Sequence, residues 1–196
     1  MTSRVSAQVT DTLNPSATYV FGGVGGFIPM RDSYRLNYST TLAGIPLELL
    51  GGVLMPISKT TLVPLTVRYI RREANFVSST AIKVLSFEPG ARFFLERKRT
   101  GDIQLFGGIE GLLAQATVEG NYESTTDGSS PVPATASKSY LNYGLGIDIG
   151  ATYEFAPMSA IDAIVHIATY FGSPVSTGGI GNIGGVSIDA AFREGF

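Results

Sequence analysis

A two-residue alternation runs to the very end of this chain. Counting back from the C-terminus in steps of two gives Phe196, Glu194, Phe192, Ala190, Ile188 and Val186. The residues between them are Gly195, Arg193, Ala191, Asp189 and Ser187. Successive side chains of a β-strand point to opposite faces, so this is a strand with two environments. Glu194 apart, one face is apolar or aromatic. The other is small, polar or charged.

The same periodicity predicts eight strands. They are Thr18–Pro29, Ile45–Pro56, Thr61–Arg72, Ala81–Glu96, Asp102–Gly120, Ser139–Phe155, Ala160–Phe171 and Asn182–Phe196. The connections carry a second signal, because their lengths alternate. Met30–Gly44 is long and Ile57–Thr60 short. Glu73–Thr80 is longer than Arg97–Gly101. Asn121–Lys138 is the longest, Ala156–Ser159 is short, and Gly172–Gly181 is long again. An even number of strands joined this way places both termini on the side of the short turns.

Strand six shows the faces best. Its odd positions are Leu141, Tyr143, Leu145, Ile147, Ile149, Ala151, Tyr153 and Phe155. Its even positions include Asn142, Gly144, Gly146, Asp148, Gly150, Thr152 and Glu154. Aromatic residues stand at both ends of the apolar face, where the interfacial girdles of a membrane barrel belong. The parity recurs in strands three, four, five and seven, while strand one is ambiguous because glycine occupies both faces. A soluble barrel would turn its apolar face inward. Here the polar face is Gly-rich and narrow, as a crowded lumen needs, and charged residues make up only 15% of the chain. Lys83 falls on the apolar face near a strand end, where it can snorkel. Pro89 sits mid-strand, where a closed barrel has no edge to hide a missing N–H.

Composition excludes several classes. No apolar run approaches the roughly 18 to 20 residues of a transmembrane helix, and mean hydropathy is only +0.21. A membrane β-barrel stays open, since its strands need half their positions apolar. The formal net charge is −2, with no basic cluster to track a phosphate backbone, so nucleic acid is not an expected partner. There is no cysteine, hence no disulfide and no thiolate metal site. Val5-Ser6-Ala7 matches the tail of a small-residue cleavage site, so the chain is expected to begin near a mature N-terminus after removal of a signal peptide.

Strand count, loop alternation, aromatic girdles and the terminal aromatic together resemble the small eight-stranded bacterial outer-membrane barrels of the OmpA/OmpX type. The likeness is architectural and covers about residues 18–196. It implies an all-β, eight-stranded antiparallel up-and-down transmembrane β-barrel, with residues 1–17 as an N-terminal periplasmic tail. It also implies the outer membrane of a bacterial cell, with both termini periplasmic. Bilayer lipid and lipopolysaccharide would surround a monomer, and an extracellular partner would meet the long loops. By the same resemblance, Phe192 and Phe196 form the signal read by the outer-membrane assembly machinery.

Projecting the strands puts Arg68, Glu88, Arg92, Glu110, Asp148, His166 and Asp189 near mid-height on the inner face. Eight strands leave an interior just wide enough for side chains, so these groups are expected to form a paired polar plug. The four carboxylates outnumber the two guanidiniums, so His166 is protonated or one carboxylate holds a proton. A narrow cation path or proton-sensitive gate is the sharper alternative.

His166 invites a catalytic reading, because some such barrels modify lipid A. In the lipid A deacylases a membrane-facing His precedes a Ser by two residues; here that position is Ala168, and His166 points inward. Asp162 lies about 13 Å away along the strand, too far for a direct hydrogen bond. No catalytic, cofactor or metal site is therefore expected, and a single His carries no metal signature. The leading expectation is a non-enzymatic outer-membrane barrel with a structural or surface-interaction role. The alternatives are a small channel for ions or hydrophobic compounds of the OmpW-like kind, a lipid-modifying enzyme, and a soluble barrel around an apolar ligand.

Overall fold

Alternating sequences of this length cannot satisfy their backbone alone; each strand needs two partners, and closing the sheet supplies them without an edge. The computed structural model describes residues 17–29, 47–75, 79–95, 101–124, 132–171 and 184–196. Apart from Ala17, the expected N-terminal tail lies outside them, as do Met30–Gly44 and Gly172–Gly181. The strands are β1 (Tyr19–Pro29), β2 (Leu47–Pro56), β3 (Thr61–Asn75), β4 (Ser79–Phe94), β5 (Ile103–Ser124), β6 (Val132–Ala156), β7 (Ser159–Phe171) and β8 (Gly185–Gly195). Each pairs antiparallel with the next, and β1 pairs with β8 from Tyr19↔Gly195 to Pro29↔Gly185. The result is the expected closed up-and-down barrel of eight strands.

One element differs from the sequence reading. Much of Asn121–Lys138 belongs to strands, because β5 runs to Ser124 and β6 starts at Val132. Their register is unbroken from Ile103↔Tyr153 to Ser124↔Val132. Such an extension is polar and needs no apolar face, so it carries no hydrophobic period to betray it. The ladder also extends β3 and β4 to Asn75↔Ser79.

The wall is apolar outside. Leu105, Ile109, Leu145, Ile147, Ile149 and Ile188 are all at least half exposed. Tyr143 pairs with Phe171 near the long-connection end, both outward-facing and exposed. At the short-turn end Phe155 stacks on Phe192, ring centroids 6.2 Å apart. Along β6, Tyr143 to Tyr153 is about ten residues, a rise of about 25 Å at about 40° of tilt, the height of a membrane barrel's apolar band. In β1 the ambiguity resolves: Tyr19, Phe21 and Phe27 are buried, whereas Val20, Val24 and Ile28 are exposed.

Pro89 faces outward and keeps the register. Leu65↔Pro89 and Leu62↔Arg92 belong to one register, as do Phe87↔Leu113 and Gly90↔Glu110 on the other side. The ladder is interrupted beside the proline rather than shifted, so every later side chain stays on its face. Lys83 does not snorkel alone: its Nζ lies 2.7 Å from Glu119 Oε1 on the adjacent strand.

Candidate functional site: the charged lumen

Even positions of β3 to β7 and odd positions of β8 point inward, and that parity carries the charged residues into the lumen. Arg68, Glu88, Arg92, Glu110, Asp148, His166 and Asp189 are each at most 3% exposed. They sort into two clusters built around the arginines.

In the first, Arg68 Nε donates to Glu88 Oε2 at 2.9 Å and Nη1 donates to Asp189 Oδ2 at 2.7 Å. Nη1 also pairs with Glu48. Serines satisfy the carboxylates further: Ser86 Oγ donates to Glu88 Oε1 and Ser187 Oγ to Glu48 Oε2, each at 2.6 Å. The planar guanidinium thus joins β2, β3, β4 and β8, with donors aimed in several directions at once. Gly25, opposite Asp189 across the β1–β8 ladder, leaves room for this carboxylate, because a Cβ there would collide with Asp189 Oδ1.

In the second, Arg92 Nη1 donates to Asp162 Oδ2 at 3.1 Å, and Nη2 lies 3.5 Å from Asp148 Oδ2. Thr152 Oγ1 donates to Asp162 Oδ1 at 2.7 Å. Arg92 Cζ stands 4.2 Å above the Phe106 ring, a cation–π contact away from water. Arg193 Nε is 3.9 Å from Asp162 Oδ1. His166 connects the clusters. Its Nδ1 is 2.8 Å from Asp148 Oδ1 and 3.6 Å from Glu110 Oε2.

Apolar layers cover this charged zone at both ends. Toward the short turns lie Tyr19, Leu54, Leu62, Phe94 and Phe106, with Phe94 and Phe106 5.6 Å apart. Toward the long connections lie Phe27, Ile70 and Val84, with Tyr170 packed against them. Buried apolar and charged side chains together fill the lumen, in line with the expected polar plug.

Sequence projection brings all seven named charges into this lumen, but Glu48, Asp162, Thr152 and Arg193 also hold it together. Both Glu48 and Arg193 sit close to strand ends; Arg193 falls on the polar face of the last strand, whereas no face is assigned from sequence to the strand of Glu48. The apolar end layers were missed because an inward Phe and an outward Phe carry the same hydrophobic label. Phe192 is outward-facing in the short-turn girdle and Phe196 is exposed just beyond β8, its N–H bonded to the Thr18 carbonyl at 3.0 Å.

No protein-family model matches the chain, and no curated protein matches it in sequence. Its fold is found in solved structures. It is similar to the outer membrane protein OprG from Pseudomonas aeruginosa, with a TM-score of 0.59 at 12% identity, covering 92% of this chain and 95% of that one. It is similar to Neisserial surface protein A, with a TM-score of 0.56 at 16% identity over 92% and 96% of the two chains. Ail, the attachment invasion locus protein of Yersinia pestis, gives 0.53 at 16% identity over 90% and 97%. At these identities the likeness establishes the fold: the eight-stranded barrel of small bacterial outer-membrane proteins.

Proposed function

We propose that this chain is a non-enzymatic integral protein of the bacterial outer membrane. The barrel is a closed anchor, and its long connections meet the cell exterior. One observation carries the reading: the wall is apolar outside and charged inside, the inverse of a water-soluble barrel. Exposing this band to water would create a far larger apolar patch than a soluble monomer carries.

The non-enzymatic part rests on the geometry around His166. Its imidazole faces the lumen and is held by Asp148, with Ala168 on the same inward face, so no hydroxyl stands where a lipid-modifying serine would be needed. The structural role rests on the two arginine clusters and the apolar layers, which fill the interior rather than leave a path. Lipopolysaccharide as a neighbour is supported by Arg71 and Lys83, which stand opposite each other on the outward face of β3 and β4 toward the long connections. Attachment stands in the name of one protein of similar fold, Ail, and a loop-borne surface interaction is the corresponding role here.

The test is extraction and topology. The protein is expected to leave cell envelopes only in detergent and to migrate faster on gels unheated than after boiling. A tag inserted at Asp127 should bind antibody on intact cells, and one at Lys59 only after permeabilisation. A detergent-free monodisperse monomer, or the reverse labelling pattern, overturns the reading.

A further inference from the structure

Buried negative charge exceeds buried positive charge in this lumen. Among the described residues, seven buried carboxylates face three guanidiniums and one imidazole. Uncompensated buried charge is costly, so the acidic side needs a further cation or protons. Arg68 and Arg92 occupy the two ends of the network. The buried polar atoms with no hydrogen-bond partner among the described residues include Glu110 Oε2 and His166 Nε2.

We propose that Glu88, Glu110 and His166 bind a divalent first-row transition-metal ion inside the barrel. Each of the three presents a ligand atom, and these atoms lie within 4.8 Å of one another. Ligands about 2.1 Å from one ion lie about 3 to 4 Å apart, so the three side chains draw together to close the site. Asp148 Oδ1 accepts the Nδ1–H of His166 at 2.8 Å, which leaves Nε2 with its lone pair. A carboxylate that orients a ligating imidazole in this way is the usual outer partner of a metal site.

Glu88 already accepts from Arg68 and Ser86, but a carboxylate offers about four lone-pair positions and can bridge a guanidinium and an ion. Gly146 keeps the space open: a Cβ there would stand 2.7 Å from His166 Cε1 and 3.5 Å from Glu110 Cβ. One imidazole with two carboxylates suits Zn²⁺, Mn²⁺ or Fe²⁺, whereas Mg²⁺ and Ca²⁺ favour all-oxygen sets. The apolar layers above and below mean that the ion enters as the barrel folds.

The probe is Zn²⁺, supplied while the denatured chain refolds in detergent, followed by dialysis against metal-free buffer. The refolded protein is expected to retain about one zinc per chain. Asp102→Asn, in an exposed turn, should retain it, and Glu110→Gln should not, with folding of each checked by unheated gel mobility. His166 is the only histidine in the chain, so its ¹⁵N resonances report on the native protein without any variant. Zinc should move the Nε2 resonance. The proposal is overturned if the native protein retains no zinc, which would leave protons to balance the charge. It is overturned equally if zinc is retained with unchanged His166 resonances, or by a folded Glu110→Gln variant.

Discussion

Arg68 on β3 and Asp189 on β8 are 121 positions apart in sequence and 2.7 Å apart across the lumen. Neither strand neighbours the other in the sheet; β1 and β2 lie between them. The contact therefore exists only in the closed barrel, and it ties the first half of the chain to the last strand.

Arg68→Ala should accordingly weaken the barrel sharply. It leaves Glu48, Glu88 and Asp189 buried without their shared cation, and breaking a buried ion pair from one side costs about 3 to 5 kcal/mol. Lys59→Ala, in an exposed turn, should change stability little. Urea unfolding of the two variants in the same detergent measures the difference. Equal, small effects would remove Arg68 from the load on the lumen.

Gly146 and Gly107 make a matched pair of small residues on neighbouring strands. Gly146→Val drives a side chain into His166 and Glu110 and should destabilise by about 1 to 3 kcal/mol, the cost of overpacking a filled interior. Gly107→Val points outward, where a Cβ meets only the Asp148 carbonyl at 3.9 Å. It should be tolerated. Thermal loss of the fast-migrating gel form ranks the two, and the reverse ranking would invert the facing of β5 or β6.

Phe196 contributes one exposed ring and one backbone hydrogen bond to Thr18. Its deletion should therefore leave refolding into detergent largely intact. If the terminal aromatic is read by assembly machinery, the same deletion should cut surface delivery in cells several-fold. Unchanged delivery would mean that the ring serves only the girdle.

A filled interior should not conduct. Planar-bilayer recordings of the native protein are expected to show little steady current, and Arg68→Ala, which leaves the apolar layers at both ends in place, should raise it only slightly. Large, stable openings of the native protein would favour the small-channel alternative over a closed anchor.

Period-two alternation carried nearly all of the fold. Strand number, antiparallel order and the facing of β3 to β8 follow from which residues of each strand are apolar, since a slip by one residue would turn every charge into the lipid. Strand β1 was the exception, because Gly22, Gly23, Gly25 and Gly26 supply no side chain to vote for a face. Closure against β8 decided it, burying Phe21 and Phe27. The strand extensions around Ser124 and Val132 were also decided by pairing, because a polar hairpin has no hydrophobic face to read.

The inward set of charges was legible from parity, but parity gives a face and not a partner. That Arg68 reaches Asp189, and Arg92 reaches Asp162, depends on strand stagger and on how eight strands bring distant inward positions to one height. The same holds for Glu88, Glu110 and His166, whose three strands are joined in sequence by no spacing rule. A single strand determines which side of the wall its residues occupy, because the pleat is local. Which side chains meet in the lumen is determined only by the closed sheet, because those contacts cross the barrel rather than run along the chain.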